Sequence, residues 1–348
     1  MHMADALLSP AVGSGMWAAT GATLAYSARK VTKEIDDRKV PLMGVLGAFI
    51  FAAQMINFTI PGTGSSGHLG GGMILTVLLG PYAAFLVTAS VLTVQALFFA
   101  DGGLLALGCN IFNLGFFPAF IAYPLVFKPL LGDKPTAGRL TLASIVAAIV
   151  GLQFGAFGVV METVFSGISE LPFSTFVMIM QPIHLAIGVV EGLVTAAVIS
   201  FVWKARPEVL TQAAVHQPIG QVSMGKVLAG LGIAAVITGG MLSWFASTNP
   251  DGLEWSMFKV SGKEELEADS GVHHGLGALQ QKTAFLPDYG FKKAEPEGAA
   301  ESEGAPAWPA PDAGTSLSGI IGGILTLLVA VAIGFLLKRR DAPRGAGA

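Results

Sequence analysis

The second residue is the first that could do chemistry. In Met1-His2 a free α-amine, the following backbone amide nitrogen and the imidazole Nδ1 can all reach one metal ion. Amine and amide close a five-membered chelate ring; amide and Nδ1 close a six-membered one. The amide must lose its proton, which a metal favouring square-planar geometry promotes, so the pattern points to Ni(II) or Cu(II). The α-amine, with an ordinary pKa of about 7.7–8.0, must also be unprotonated, so affinity should fall in acid. Three coplanar nitrogens leave one position open. A second histidine lies in Pro61-Gly62-Thr63-Gly64-Ser65-Ser66-Gly67-His68-Leu69-Gly70-Gly71-Gly72. Glycine lets backbone approach closely, and a loop running into an apolar segment has little reason to carry a histidine except to bind something. His68 is the natural fourth ligand. The plainer alternatives are a solvated terminus and a flexible loop with an incidental polar residue.

These residues need elements to position them, and composition says which. Of 348 residues, 53% are hydrophobic and 12% charged, with mean hydropathy +0.66. That is too little polar surface to cover a soluble core and too little charge for a disordered chain. A net charge of −3 with no basic face excludes a nucleic-acid partner. The single cysteine, Cys109, excludes a disulfide framework or multi-cysteine metal site. An all-α polytopic membrane protein remains, since runs this long without alternation do not read as a β-barrel. Spans are expected near 5–27, 41–58, 69–80, 81–99, 104–127, 140–164, 173–203, 227–246 and 317–337. The third is short and ends at Gly80-Pro81, so it reads as a half-span or a helix preceded by buried loop.

Charge placement orients the map. Fifteen of the 20 Lys and Arg fall in four clusters: Arg29–Lys39, Lys128–Arg139, Lys204–Lys226 and Lys338–Arg344. Nine crossings put all four on one side, which the positive-inside rule makes cytoplasmic. The N-terminus then lies outside and the C-terminus inside. Residues 247–316 also lie outside; they hold 12 of the 23 acidic residues against five lysines, a net −7. The chain divides into a seven-crossing domain (1–210), a cytoplasmic linker (211–225), a hairpin of two crossings (226–340) around the outer segment 247–316, and a cytoplasmic tail (341–348). His2 and Asp5 stand where a signal peptide needs Lys or Arg, so the mature chain is expected to begin at Met1.

Other polar residues carry two readings each. Asn57, Gln95, Asp101, Asn110 and Asn113 cluster around the spans that follow the His68 loop. They orient the ligands or fix the bundle by interhelical hydrogen bonds; the latter is favoured for Gln95. Asp5 complements the metal charge or caps the first helix. His184 and Glu191, seven apart on one helical face, form a buried pair, a helix contact or a metal path, with packing favoured. The exposed pair His273-His274 and the linker His216 are expected to be inert. Gly220–Val227 imitates a phosphate loop, but Val227 stands where Ser or Thr must hold Mg²⁺ and no strand precedes it.

A resemblance becomes specific on several of these motifs. Met1-His2-Met3-Ala4-Asp5, Ala53–Phe58 followed by Gly67-His68-Leu69, Asp101-Gly102-Gly103 and Leu107–Asn113 resemble the CbiM/NikM family over residues 1–205. Pro250-Asp251-Gly252-Leu253-Glu254, with Leu286-Pro287-Asp288-Tyr289, resembles the small NikN-type partner. The resemblance implies a seven-helix substrate-capture (S) component of an energy-coupling-factor importer, fused to a NikN-type hairpin with an extracytoplasmic segment. It implies Ni(II) or Co(II) as transported substrate, held by Met1, His2 and His68, with Asp5, Asn57, Asn110 and Asn113 around them. Its implied partners are a transmembrane coupling subunit and cytoplasmic ATPases on separate chains, in the cytoplasmic (inner) membrane. Met3 and Ala6 depart from the family's usual Ile and Gly, neither of which supplies a ligand. Alternatives of other classes are a membrane-embedded metalloenzyme, which needs an open coordination position and a general base, and an ion-coupled carrier, which needs paired intramembrane carboxylates or inverted repeats. Neither set of features is evident, and no enzymatic activity is expected.

Overall fold

The computed structural model describes residues 2–169, 171–263, 266, 270–292 and 308–340. Met1 and the expected tail 341–348 lie outside the described residues. The chain runs through α1 (Pro10–Val31), α2 (Lys39–Gln54), the strands β1 (Phe58–Ile60) and β2 (Ser65–Gly67), α3 (Gly72–Leu79) and α4 (Pro81–Phe99). It continues through α5 (Leu107–Leu131), α6 (Ala137–Ser166), α7 (Phe173–Ala205), α8 (Pro207–Ala214) and α9 (Gly225–Gly240). Last come α10 (Gly252–Ser261), α11 (Gly271–Thr283) and α12 (Ala313–Arg340). By length and composition α4, α5, α6, α7 and α12 can cross a membrane, and α2 and α9 are shorter apolar helices.

The third expected span is a broken crossing. The helix α3 has eight residues, about 12 Å of rise, too short to span a bilayer. The missing length is backbone from His68 to Gly71 running buried through the bundle. Non-helical backbone at such a depth survives only where protein satisfies its polar groups. At its far end Gly80 turns with φ +80° into Pro81 at the first position of α4, where proline has no ladder hydrogen bond to lose.

Among the described residues, parts of all four basic clusters meet at one end. Lys39 Nζ pairs with Glu34 at 2.9 Å, both buried. Lys128 Nζ donates to the Ala214 carbonyl at 2.9 Å. The Gly220 N–H donates to Asp36 at 2.7 Å, so the phosphate-loop imitation is a tied corner. Lys338 pairs with Asp37, and the α3–α4 turn abuts Glu34 and His216.

The opposite end carries the shorter elements. Strands β1 and β2 pair antiparallel, Phe58 opposite Gly67, around a turn in which Gly62 and Gly64 take φ +79° and +77°. The second hairpin, α9 and α12, packs on α2 with its outer segment folded over this end. Gly239 and Gly319 meet backbone to backbone there: a Cβ on Gly319 would lie 2.4 Å from the Gly239 carbonyl oxygen.

Candidate metal site

The N-terminal strand is hung in place before α1 begins. Met3 is fully buried among Leu7, Leu8, Leu105 and Leu253. Its N–H donates to Asn110 Oδ1 at 2.8 Å, and its carbonyl accepts from Gly103 N–H at 2.9 Å and Asn110 Nδ2 at 3.2 Å. Asp5 Oδ1 accepts the Ala106 N–H at 2.9 Å; burial raises the pKa of Asp5 despite that bond. These contacts explain Asp101-Gly102-Gly103. A Cβ on Gly103 would lie 1.9 Å from Asp5 Oδ1, and Gly102 sits at φ +80° with Asn110 2.9 Å from its missing Cβ. Glycine alone lets the two strands pass this close.

His2 and His68, 66 residues apart in the chain, come together with ring centroids 4.9 Å apart. His2 Nδ1 lies 2.7 Å from Asp101 Oδ1. A carboxylate can only accept, so Nδ1 carries the proton; Nε2 is buried without a partner among the described residues. Burial works to raise the pKa of Asp101, yet His2 and the Tyr289 hydroxyl hold it well below the usual carboxylate range. His68 Nδ1 lies 3.1 Å from the Leu69 carbonyl, which fixes the proton on Nδ1 by the same argument and leaves Nε2 as the lone-pair nitrogen. The ring is buried, and a metal ligand nitrogen must be unprotonated.

A cavity of about 530 Å³ opens beside these rings. Its wall comes from both parts of the chain: His2, Asp5, Asn57, His68 and Asp101 from the first, and Asp251, Glu254, His273, Gln280 and Tyr289 from the second. Among the described residues no three His, Cys, Asp or Glu side chains gather as a metal cage.

The second part is bonded over the rim. Tyr289 donates to Asp101 Oδ2 and stacks on Phe99, centroids 5.1 Å apart. His273 Nε2 donates towards the carbonyls of Leu8 and Asp5 at 2.9 and 3.1 Å, so His273 is engaged rather than inert. Gln280 Nε2 donates to the Ala96 and Gly102 carbonyls. The motif Pro250–Glu254 has a physical reading residue by residue. The Pro250 carbonyl accepts the Ser66 N–H at 2.8 Å, joining the motif to β2. Asp251 and Glu254 form a reciprocal capping box at the start of α10. Gly252 packs where a Cβ would stand 2.8 Å from Ile183 and 3.2 Å from His184, and Leu253 is 1% exposed. Asp251 Oδ2 thereby lies 4.0 Å from His68 Nε2.

Other expected residues fall elsewhere. Asn57 lines the cavity and its carbonyl accepts the Ser247 N–H at 2.7 Å. Asn110 grips Met3, the residue after His2. Asn113 turns to α6 and donates to the buried Glu162 at 2.7 Å, away from the cavity. His184 and Glu191 do not pair: His184 Nδ1 donates to the Met180 carbonyl at 2.8 Å, and Glu191 accepts from the His68 loop. His216 lies 3.4 Å from Glu34 at the far end. Sequence reasoning left Asp101 between a ligand-orienting and a bundle-forming reading and gave Tyr289 no role; the Asp-Gly-Gly run after an apolar helix was the usable signal.

Residues 2–209 match the CbiM family, described as a cobalt uptake substrate-specific transmembrane region, and residues 225–339 match the PDGLE domain. The chain belongs to the CbiM family. It is an integral membrane protein of a family of nickel and cobalt transport proteins rather than enzymes. A chain of Archaeoglobus fulgidus named as a fused nickel transport protein, NikMN, is 31% identical over 339 residues, 97% of this chain and 98% of that one. A cobalt transport protein CbiM of Geobacter sulfurreducens is 29% identical over 223 residues, 62% of this chain and 63% of that one. The crystal structure of a truncated transition metal transporter covers 59% of this chain and 99% of its own, at 31% identity and a TM-score of 0.53.

Proposed function

We propose that this CbiM-family protein captures Ni(II) or Co(II) at the outer face of the cytoplasmic membrane. The ion is held by the Met1 amine, the His2 amide, the His2 imidazole and His68. One observation carries this reading: the fold brings His2 and His68 to 4.9 Å centroid separation although nothing local in the sequence requires them to meet. The basic end, where Lys39, Lys128 and Lys338 are tied, is cytoplasmic by the positive-inside rule. A transmembrane coupling subunit and ATPases on separate chains drive release there. The domains run 1–210 and 226–340, joined by the cytoplasmic linker 211–225. The outer segment of the second domain acts as a lid whose Tyr289, His273 and Gln280 close the rim.

The chelate sets a condition on His2. Amide and imidazole can share a six-membered ring only through Nδ1, which here donates to Asp101. Loading therefore requires the ring to turn about Cβ–Cγ. That turn brings Nε2 to the place of Cε1, beside the same carboxylate, so Asp101 can hold the ring in both orientations. Planar nitrogen ligation favours Ni(II), and the nickel named for the fused relatives supports the same choice.

The test is acetylation of the Met1 amine. It turns the terminal nitrogen into an amide and should abolish tight nickel binding, measured by titration calorimetry, while the far-ultraviolet circular dichroism stays unchanged. Tight binding by the acetylated chain would refute the amino-terminal chelate.

A further inference from the structure

Glu191 is an ionisable side chain in the middle of a spanning helix, 2% exposed, and the ligand chemistry proposed above makes no use of it. A carboxylate there needs strong partners to persist. Both of its oxygens accept backbone N–H groups of the broken crossing: Gly70 at 2.8 Å and Gly71 at 3.1 Å. On the other side of the same backbone, Gln54 Nε2 donates to the Gly70 carbonyl at 2.8 Å, and Gln95 Nε2 donates to Gln54 Oε1 at 2.9 Å. Neither a helix nor a sheet ladder exists here, so side chains from α7, α2 and α4 take its place. The run of glycines follows from the grip. A Cβ on Gly70 would meet Glu191 Oε2 at 3.2 Å, and Gly71 at φ +76° would bring a Cβ to 2.7 Å from Ile50.

One detail joins this grip to the metal site. The Gly70 N–H belongs to the same peptide group as the Leu69 carbonyl, and that carbonyl accepts the His68 Nδ1 proton at 3.1 Å. Carboxylate, peptide and imidazole thus form a chain of hydrogen bonds, Glu191 to Gly70 N–H, Leu69 C=O to His68 Nδ1–H. In a trans peptide the N–H and C=O point in opposite directions, so the carboxylate and the imidazole sit on opposite sides of one rigid plane. Hydrogen bonds in such a chain polarise one another. A negative charge on the N–H enriches the carbonyl oxygen, which in turn draws the Nδ1 proton and makes Nε2 the better donor to a metal. Oxygen acceptors on the far nitrogen of a ligating histidine act this way when bonded directly; here a peptide group is interposed.

Resting on the ligand assignment above, we propose that Glu191 is a positioning residue for metal capture, orienting and polarising His68 through the Leu69–Gly70 peptide. Glu191→Gln keeps the shape but sets an amide NH₂ against one of the two backbone N–H groups and removes the charge. Glu191→Asp keeps the charge and shortens the reach, so it guards against a Gln variant that fails to fold. The experiment titrates Ni(II) alone into the full chain in detergent, for the unaltered protein, E191Q, E191D, H68A and each double variant. The Met1-His2 nitrogens keep binding measurable when His68 is gone.

The expected result is a loss of nickel affinity of about 10–100-fold in E191Q, a smaller loss in E191D, and no further loss from either change on the H68A background. The ligand-field band of bound nickel should also shift in E191Q and E191D but not between H68A and its double variants. Equal losses with and without His68 would mean that Glu191 only stabilises the bundle, and would overturn the proposal. So would unchanged affinity in E191Q alongside a normal loss in H68A, which spares the ligand assignment. Unchanged affinity in H68A itself would overturn the assignment and the proposal together.

Discussion

The two histidines are held in opposite ways. His68 is gripped inside the bundle: its loop is fixed by Glu191, Gln54 and Gln95 of the first part, all buried, and Ser66 in the same loop is bonded to Pro250 of the second. His2 is held at the rim, on a strand that precedes any long helix. Its ring partner Asp101 is in turn bonded by Tyr289 of the second part. On the ligand set proposed above, the contrast separates a preset ligand from an adjustable one. His68 needs no motion to present Nε2, whereas His2 must turn to present Nδ1. A site that admits and later releases its ion needs one hand still and one hand free.

The largest expected effect tests the adjustable side. His2→Ala removes the imidazole and the six-membered chelate ring it closes, and should abolish nickel uptake by cells. His68→Ala removes one nitrogen of four and should weaken nickel binding by about 100-fold, in line with loss of a single strong ligand; a larger loss for H68A than for H2A would reverse the comparison. Next comes the preset side. Gly71→Ala places a Cβ at φ +76° and 2.7 Å from Ile50, and should destabilise by about 2 kcal/mol. It should lower the melting temperature and nickel affinity together. Tyr289→Phe removes one hydroxyl from Asp101 and should lower affinity by about 3–10-fold with no change in melting temperature. An unchanged affinity there would detach the lid from the His2 ring.

The smallest effect is a pH dependence. Burial raises the folded pKa of Asp5 above its unfolded value of about 3.9. Between those two values the folded state binds more protons, so the contribution of Asp5 to stability falls as pH rises through the window. Asp5→Asn keeps an oxygen for the Ala106 N–H and cannot ionise. Its melting temperature should gain on that of the unaltered chain as pH climbs from about 4, and match it below. A gain that is the same at every pH would show that the charge of Asp5 is not the cause.

What was legible in the sequence follows from the range over which each signal acts. Apolar runs and basic clusters are local, and they marked the apolar helices and the shared end of Lys39, Lys128 and Lys338. His2 and His68 stood out because each is chemically conspicuous in its own stretch. Gly80-Pro81 flagged the broken crossing, although the hairpin Phe58–Gly67 was too short for alternation to declare it. Partnerships across the chain were not legible. Tyr289 meets Asp101 over 188 residues, and Glu191 meets Gly70 over 121; neither residue carries a local pattern that names its partner. His273 read as one of an exposed pair, since only the fold shows that the Leu8 carbonyl lies opposite it. Asn113 looked like a neighbour of Asn110, but three residues along the wide turns of α5 carry it to another face.

The short connection between the two parts, α8 and the corner at Gly220, has a consequence for how the proposed lid is supplied. A separate lid would bind its site by mass action, and at low abundance many sites would stand uncovered. Tethered through about twenty residues, it meets its site at an effective concentration in the millimolar range. Even weak rim contacts such as Gln280 to the Gly102 carbonyl then suffice to keep it seated. One lid accompanies each site regardless of expression level, and dilution of the membrane protein does not strip it away.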